Sequence, residues 1–213
     1  MVQKAGDRGW GDRGERRSPL RIPMPDAAFD RLTSPRLVLR RFRADDIETF
    51  VRYRADTDVA RFQSWENFTA EDGDRFYDWV RTQHPDIPGE WFQVAVALRD
   101  GDAIIGDCGL HALAEPADEV EIGFTLAPGH QRHGYASEAV ACLLDYVFGR
   151  LGKSRATAIT DVRNARSIAV LERLGFVRDA SPRGLVIFKG EPCAEYVYRL
   201  HRADWASRSD SRG

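Results

Sequence analysis

The sequence predicts a single α+β domain, in which a mixed and mostly antiparallel central sheet is flanked by helices. Apolar residues alternate with a period of two in several segments and follow helical spacing in others. The dipeptide Asp100–Gly101 separates two predicted strands, Trp91–Leu98 and Ala103–Leu110, which is a hairpin signal. Strands and helices are therefore interspersed, with an antiparallel first half. Nothing in the pattern predicts a repeat or a second domain.

The length and composition fit one globular domain and argue against several other classes. The 213 residues are 43% hydrophobic and 30% charged, which is enough to bury a core. A formal net charge of −2 lacks the excess of positive charge that is typical of nucleic-acid-binding domains, so we expect no nucleic-acid partner. No apolar run approaches the roughly 18 residues of a membrane span, and no secretory leader opens the chain. We therefore expect a cytoplasmic protein without a membrane partner.

The two ends of the chain differ from its middle. Residues 1–28 are predicted to form a disordered tail, because glycines are mixed with arginine and aspartate and apolar periodicity is almost absent. A basic arm that binds nucleic acid is the alternative, but Asp7, Asp12 and Glu15 interrupt the arginines. The sequence does not decide whether Met1 or Met24 is the functional start. The domain itself is predicted over residues 29–205, and residues 206–213 are expected to form a second disordered tail.

The three cysteines, Cys108, Cys142 and Cys193, are widely spaced and odd in number. This spacing fits neither a disulfide framework nor a zinc site, so we expect reduced cysteines that pack in the fold and no bound metal.

The first half of the domain begins with a strand and a helix. Residues 36–42 alternate between two faces and are predicted to form the first strand. A helix follows, with Ile47, Phe50 and Val51 facing inward and Asp45–Asp46 in its first turn, where negative charge suits the helix dipole.

A second helix of this half is predicted to begin at a capping box. Thr69 and Asp72 are three residues apart at its start, and Phe76, Trp79 and Val80 follow at helical spacing.

The chain is organised around a strand, a glycine-containing turn and a helix. Glu119–Leu126 alternates as a strand, and Pro128–Gly129 ends it. From Gly134 to Gly149 the apolar residues follow helical spacing for about four turns. Such a turn aims free backbone N–H groups and the positive end of the helix dipole at one point. A point of this kind binds phosphate.

Three families use this device, and the residues discriminate among them. A Walker loop requires Gly-Lys followed by Ser or Thr, which this turn lacks. A dinucleotide fingerprint requires glycines at the positions of Ala136 and Ala139 and an acid where Ser154 stands. Gln131-x-x-Gly134-x-Ala136 instead resembles the turn of the GNAT superfamily of acetyltransferases that holds the pyrophosphate of coenzyme A.

A second block makes this resemblance more specific. Asn164-x-x-Ser167, with Gly175–Phe176 at the matching distance, resembles one branch of that superfamily. The branch contains the ribosomal-protein N-terminal acetyltransferases and many antibiotic and small-amine acetyltransferases. Together with the opening Pro35–Arg40, the resemblance covers residues 34–202.

The resemblance implies an acyltransferase that uses acetyl-CoA as co-substrate, with direct transfer to a primary amine in a ternary complex. It also implies a sheet that splays between its fourth and fifth strands, Glu119–Leu126 and Arg155–Thr160, where the backbone would pair with the pantetheine arm. The residues that it implies in cofactor binding are Phe124, Thr125, Leu126, Gln131, Arg132, His133, Gly134, Tyr135, Ala136, Ser137, Asn164 and Arg166.

The chemistry calls for a base, because a protonated alkylamine has a pKa of about 10 and must be neutral to attack a thioester. Glu121 is our candidate, acting through water. The alternative is a strand-surface carboxylate that pairs with a neighbouring arginine or lysine, and Glu119 on the same face could replace Glu121 as base. Gly123 is expected to mark a bulge or the close approach of a ligand.

The second block supplies the remaining candidates. Asn164 is expected to cap a helix that ends at Gly175 and, by resemblance, to face the pantetheine. Ser167 is the candidate acid, or the hydrogen-bond donor to the sulfur. The sequence departs from much of the superfamily at Leu171, where a tyrosine acid is usual, and at Gly129, where glutamate is frequent. The group that protonates the thiolate therefore stays open.

The acceptor substrate is the feature that the sequence determines least. Between residues 56 and 90 nine acids stand against three bases, with aromatic residues interleaved, and such a stretch would attract a cation. We therefore expect a small polycationic amine, such as a polyamine or an aminoglycoside-like antibiotic, which would indicate antibiotic resistance. A solvated acidic helix face is the structural alternative. Acetylation of a protein N-terminus, as in a ribosomal protein, and a non-catalytic acyl-CoA sensor are the functional alternatives, and either a monomer or a homodimer is compatible with the sequence.

Overall fold

The computed structural model describes residues 29–180 and 183–210. The tail predicted over residues 1–28 lies outside this part of the chain. Residues 206–210, which we predicted to belong to the C-terminal tail, instead lie in a helix over Arg202–Asp210. Trp205 of this helix is buried, and its indole N–H donates to Asp145 Oδ1 at 2.8 Å. This tertiary contact stabilises a helix whose own sequence has a weak apolar pattern.

Within the described residues, nine strands form one sheet. They are β1 (Leu32–Thr33), β2 (Leu37–Arg40), β3 (Trp91–Leu98), β4 (Ile104–Ala112), β5 (Glu119–Leu126), β6 (Arg155–Asp161), β7 (Val177–Arg178), β8 (Arg183–Phe188) and β9 (Glu191–His201). Their order across the sheet is β1-β2-β3-β4-β5-β6-β9-β7, and β8 pairs with β9. Neighbouring strands are antiparallel except for β5 and β6. The predicted mixed and mostly antiparallel sheet is confirmed.

The helices of the described chain are α1 (Ile47–Arg54), α2 (Thr57–Ala60), α3 (Ala70–Val80), α4 (Tyr135–Asp145), α5 (Ala165–Leu174) and α6 (Arg202–Asp210). A 3₁₀ turn over Ala44–Asp46 precedes α1, and a π-helical segment over Tyr146–Arg150 continues α4. None of the helices in residues 29–180 and 183–210 is long and apolar enough to cross a lipid bilayer.

The core lies on both faces of the sheet. On one face, the apolar side of β5 packs with Val140, Leu144 and Leu171 of α4 and α5. On the other face, Phe50 of α1 and Phe76 of α3 stack with ring centroids 4.0 Å apart. The strands between these two apolar clusters are covered on both faces of the sheet. This explains why β5 is buried along its whole length.

Two helix starts follow their sequence signals. The hydroxyl of Thr69 accepts from the Asp72 N–H at 3.2 Å, and Asp72 Oδ2 accepts from the Thr69 N–H at 2.8 Å, which completes the predicted capping box. Asn164 Oδ1 accepts from the Ser167 N–H at 3.3 Å, so Asn164 caps α5 as expected. The helix ends at Gly175, whose φ of 90° is left-handed.

The predicted splay lies between β5 and β6. These strands pair in parallel at only three positions, and the last of them joins Glu121 to Thr157. Both strands continue beyond that pair, to Leu126 and Asp161. On its other side β5 stays paired with β4 as far as Leu126. The opening between the two strands therefore leaves one side of the β5 backbone unpaired by β6.

Candidate active site

Residues 127–134 connect β5 to α4, and we call this connection the phosphate turn. Its residues Arg132 (φ 66°) and Gly134 (φ 81°) are both left-handed. A β-carbon built on Gly134 would lie 3.3 Å from Arg36 Nη2, so a side chain has little room there. Left-handed residues between others direct successive N–H groups to one point, and the first N–H groups of α4 have no partner within the helix. The turn is therefore built to receive an anion.

Arg36, which immediately precedes β2, holds the phosphate turn and the first turn of α4 against the sheet. Arg36 Nε donates to Glu138 Oε2 at 2.7 Å, and Arg36 Nη1 donates to the His133 carbonyl at 3.0 Å. The Ser34 hydroxyl and the Arg36 N–H both donate to Glu138 Oε1 at 2.7 Å. Burial raises the pKa of Glu138, but the hydrogen bonds from Ser34 and Arg36 outweigh it and lower the pKa below its usual value. We did not predict this contact, although Pro35–Arg40 was part of the resemblance.

Gln131 bridges the two sides of the opening. Its Nε2 donates to the Leu126 carbonyl at 3.1 Å, and its Oε1 accepts from Arg166 Nη1 at 2.7 Å. One side chain thus joins the end of β5 to the start of α5. Ser137 Oγ, in the first turn of α4, is buried and has no hydrogen-bond partner among the described residues. An orphaned hydroxyl beside an anion-binding turn fits a phosphate that the turn would hold.

The structure brings the predicted cofactor residues to one opening. They lie on three segments that border the opening. Phe124, Thr125 and Leu126 are at the end of β5, and Asn164 and Arg166 are at the start of α5. The phosphate turn and the first turn of α4 contribute Gln131, Arg132, His133, Gly134, Tyr135, Ala136 and Ser137. Arg132 and His133 are exposed at the rim. Asn164 and Ser167 are buried at the start of α5.

Four residues in register cross the sheet where the splay begins. Glu121 pairs with Thr157 of β6 and with His111 of β4, and His111 pairs with Trp91 of β3. We call these four residues the apex row. Paired residues of neighbouring strands face the same side of a sheet, so the apex row faces α1 and α3. The indole of Trp91 stacks on the imidazole of His111, with centroids 4.9 Å apart.

The environment of Glu121 differs from the surface carboxylate that was our alternative. Glu121 is 7% exposed and lies within the sheet. Glu119, which we considered as a substitute base, forms an ion pair with Arg155. The ladder is regular at Gly123, which pairs with Gly109, so the bulge expected there is absent from β5. A close approach of ligand backbone remains our explanation for this glycine.

A buried polar cluster lies beside the apex row, and the sequence reasoning missed it. Asp107 accepts from the Tyr53 hydroxyl at 2.6 Å and from Arg54 Nη2 at 3.0 Å. Gln63 is fully buried, and its Nε2 donates to Thr125 Oγ1 at 3.3 Å. Burial, together with the charge of Asp107, raises the pKa of Tyr53 well above its usual value. The available signal was a polar Asp107 inside an otherwise apolar strand.

Local contacts engage much of the acidic stretch that we expected to attract a cation. Asp56 caps α2, and Asp72 belongs to the capping box of α3. Asp78 pairs with Arg81 at 3.3 Å, while Asp86 pairs with Lys153, which lies outside the stretch. Lys189, on the β8–β9 turn, also approaches Glu66 at 3.7 Å. The two lysines from outside the stretch reduce its negative field, and the caps and the Arg81 pair engage further carboxylates locally.

The aromatic residues interleaved with those acids contribute to packing. The guanidinium of Arg54 lies 3.9 Å from the centroid of the Trp65 ring and 5.6 Å from that of Phe68. The aromatic rings therefore cover the buried cation of the polar cluster instead of lining an open mouth.

Comparison with protein families identifies the domain. The model of the acetyltransferase (GNAT) domain matches residues 36–177. An uncharacterized N-acetyltransferase, p20 of Bacillus licheniformis, is 28% identical over 179 residues, which cover 84% of this chain and 99% of that protein.

Solved structures share the fold. A GNAT-family acetyltransferase from Bacillus anthracis matches with a TM-score of 0.74 and 25% identity over 82% of this chain and 99% of that one. A protein from Vibrio cholerae described as a "putative ribosomal-protein-serine acetyltransferase" matches with a TM-score of 0.68 and 25% identity over 82% and 98%. A spermidine N-acetyltransferase from Vibrio cholerae, in complex with CoA and spermine, matches with a TM-score of 0.68 over 80% and 98%, and its 17% identity shows likeness of fold alone.

Proposed function

The chain belongs to the GNAT acetyltransferase family, and from that premise we propose that it transfers the acetyl group of acetyl-CoA directly to a primary amine in a ternary complex. The observation that carries the proposal is the end of the β5–β6 ladder at Glu121 and Thr157, on the same strand that leads into the phosphate turn. This arrangement supports a donor site and a buried carboxylate that share one opening.

The chain's own residues suit the two ends of the co-substrate. The phosphate turn and the first turn of α4 would hold the pyrophosphate, with the orphaned Ser137 hydroxyl as an added donor. The backbone of 124–126 would pair with the pantetheine in the opening, between Gln131 and Asn164. Bound there, acetyl-CoA supplies a thioester carbonyl that is open to attack by an amine.

The apex row would carry the chemistry. Glu121 is our proposed base, since it is a buried carboxylate at the point where the strands separate. Ser167, one turn from the cap of α5, is the proposed hydrogen-bond donor to the departing sulfur, and Asn164 is proposed to orient the pantetheine. A base that must take a proton from the acceptor contributes on the order of 100-fold to the rate.

For the acceptor, we propose a protein or peptide N-terminus in preference to a polycation. The acids that favoured a polycation are largely engaged in caps and ion pairs. An α-amino group has a pKa of about 7.7–8.0, against about 10.4 for a lysine-type amine, so a larger fraction is already neutral at physiological pH. The similarity to a protein described as a ribosomal-protein-serine acetyltransferase agrees with this choice.

The acceptor class can be tested by steady-state acetylation with acetyl-CoA. The panel contains peptides with N-terminal serine or alanine, polyamines and aminoglycosides, with CoA release and product mass as readouts. We expect the peptides to give the highest kcat/KM, with an acceptor KM that changes little between about 0.05 and 0.2 M salt, because a singly charged acceptor gains little from a screened field. A polyamine or aminoglycoside that outperforms every peptide would restore the small-cation proposal. Absence of turnover with every amine would favour an acyl-CoA sensor.

The base can be tested with a matched pair of variants on one strand face. Glu121→Gln should lower the rate of acetyl transfer by about 100-fold, while Glu119→Gln removes only the ion pair with Arg155 and should leave the rate nearly unchanged. Binding of acetyl-CoA, measured by its effect on the melting temperature, should be retained in both. Equal rates for the two variants would remove Glu121 from the mechanism.

A further inference from the structure

The part of β5 beyond its last pair with β6 has one side chain on the sheet face that α1 and α3 cover. The last pair joins Glu121 to Thr157, and β5 continues to Leu126. Alternate residues of a strand lie on the same face, so Gly123 and Thr125 follow Glu121 there. Because glycine has no side chain, Thr125 is the residue through which this part of β5 can be held from that face.

Gln63 makes this contact. Its Nε2 donates to Thr125 Oγ1 at 3.3 Å, across 62 positions in the chain. Thr125 lies in register with Asp107 of β4, which accepts hydrogen bonds from Tyr53 and Arg54 of α1. Gln63 therefore extends the buried polar cluster to the strand that borders the opening.

The stability of the core does not account for a glutamine at position 63. Its side chain is fully buried, and its Oε1 has no hydrogen-bond partner among the described residues. A buried amide oxygen without a partner loses its hydration and gains no bond in exchange. A leucine of similar size would fill the same space without that cost. A group that destabilises the core in this way is typical of functional positions.

A lysine from the C-terminal part of the chain holds the backbone on either side of Gln63. Lys189 Nζ donates to the carbonyl of Ala60 at 2.9 Å and to that of Trp65 at 2.7 Å. Lys189 (φ 51°) and Gly190 (φ 78°) form the two-residue turn between β8 and β9, and both are left-handed, as tight hairpin turns require. The turn therefore presents the ammonium group to the segment that carries Gln63.

We propose that Gln63 is a positioning residue for acetyl transfer. Through Thr125 it holds the part of β5 that no longer pairs with β6, so that the bound thioester is aligned with the acceptor amine. Because Gln63 approaches from the sheet face, the unpaired backbone edge of β5 stays available to the pantetheine. Lys189 supports this role by fixing the backbone around Gln63. This inference rests on the proposed function, because it concerns the same site.

The test is a double-variant cycle with Gln63→Leu and Thr125→Val, which remove the two partners of one hydrogen bond and keep side chains of similar shape. The rate is measured in single turnover with saturating acetyl-CoA and the best acceptor from the panel. Each single variant should lower it by about 10- to 100-fold, since small displacements of reacting groups have effects of this size. The double variant should be no slower than either single variant, because both act through one contact. The affinity for acetyl-CoA should change less than the rate, since the phosphate turn is intact.

Melting temperatures separate a positioning role from structural support. The double variant should melt at or above the wild-type temperature, because it leaves neither partner of the bond buried and unpaired. Lys189→Met should lower the rate, and Lys189→Arg should restore it, because a guanidinium can also donate to two carbonyls. The matched control is Gln83→Leu, at a glutamine whose Nε2 donates to the Trp79 carbonyl of α3, and it should keep the wild-type rate.

Three results would contradict these expectations. A wild-type rate in Gln63→Leu, or reductions that multiply in the double variant, would overturn this inference and leave the proposed function intact. A double variant that melts well below the wild type would do the same, since Gln63 would then support the fold. A wild type that binds acetyl-CoA and acetylates no amine would overturn the proposed function and this inference together.

Discussion

The two sides of the site are built by different kinds of contact. On the cofactor side, formed by the end of β5, the phosphate turn, α4 and the start of α5, local contacts set the backbone: Gln131 reaches Leu126 five residues away, and Asn164 reaches Ser167 three residues away. The ion pair between Arg36 and Glu138 then joins this side to the residues before β2. On the acceptor side, formed by α1 to α3 and the facing sides of β3 to β5, Tyr53 reaches Asp107 across 54 residues and Gln63 reaches Thr125 across 62. Backbone conformation therefore shapes one side, and side-chain burial shapes the other.

This difference determines what each side tolerates. A site made of backbone N–H groups depends on a few residues that permit the required φ and ψ angles, and most other side chains there are free to vary. A buried polar cluster depends on the pairing of every member, because a charge left without its partner in the core is costly. Substitutions should therefore affect cofactor binding on one side and the stability of the fold on the other.

The largest effect is expected from the buried ion pair of the acceptor side. Arg54→Met leaves Asp107 buried with Tyr53 alone, and we expect the free energy of unfolding to fall by about 3–5 kcal/mol. Arg75→Met breaks exposed ion pairs on α3 and should change the free energy of unfolding much less, because solvent screens exposed pairs. Urea denaturation measures both.

The double variant Arg54→Met/Asp107→Leu provides the control for this experiment. Removing both charges should recover a large part of the lost stability, because no uncompensated charge stays buried. Equal losses of unfolding free energy in Arg54→Met and Arg75→Met would show that the buried polar cluster does not make the stability of the acceptor side sensitive to substitution.

On the cofactor side, a change of one glycine should remove binding while the fold is kept. Gly134→Ala places a side chain on left-handed backbone, 3.3 Å from Arg36 Nη2, at a cost of about 1–2 kcal/mol in stability. The same change at Gly129, in the same turn, meets no atom within 4 Å. We expect the increase in melting temperature with acetyl-CoA to disappear in Gly134→Ala and to persist in Gly129→Ala. Neither ATP nor NAD should produce such an increase in the wild type.

The smallest effect on stability is expected when one helix N-cap is substituted on each side of the site. Asn164→Ala and Thr69→Ala each remove an N-cap hydrogen bond and should each lower the free energy of unfolding by about 1 kcal/mol. Only Asn164→Ala should also weaken acetyl-CoA binding, since α5 borders the opening. Calorimetric titration with CoA distinguishes them, and an equal affinity in both variants would restrict Asn164 to a capping role.

The sequence by itself determined the elements whose signals are local. Glu119–Leu126 and Gly134 defined the strand and the turn, Thr69 and Asn164 defined two helix starts, and Gly175 defined a helix end. Each of these depends on the φ and ψ angles or the hydrogen bonds of a few consecutive residues, which composition and spacing report directly. The family resemblance added the splay and the residues along it.

Only the tertiary structure decided which distant residues meet. Arg36 reaches Glu138 of α4 across 102 residues, and Asp107 reaches Arg54 of α1 across 53. His111 lies opposite Glu121 because of strand register, and Trp205 docks a helix whose residues 206–210 we expected to belong to a tail. The acids between residues 56 and 90 indicated a negative field that is open to a cation, yet Asp56 caps a helix and two other acids lie beside lysines from elsewhere in the chain. Such pairings arise when burial makes an unpartnered charge costly, and that cost exists only once the chain has folded.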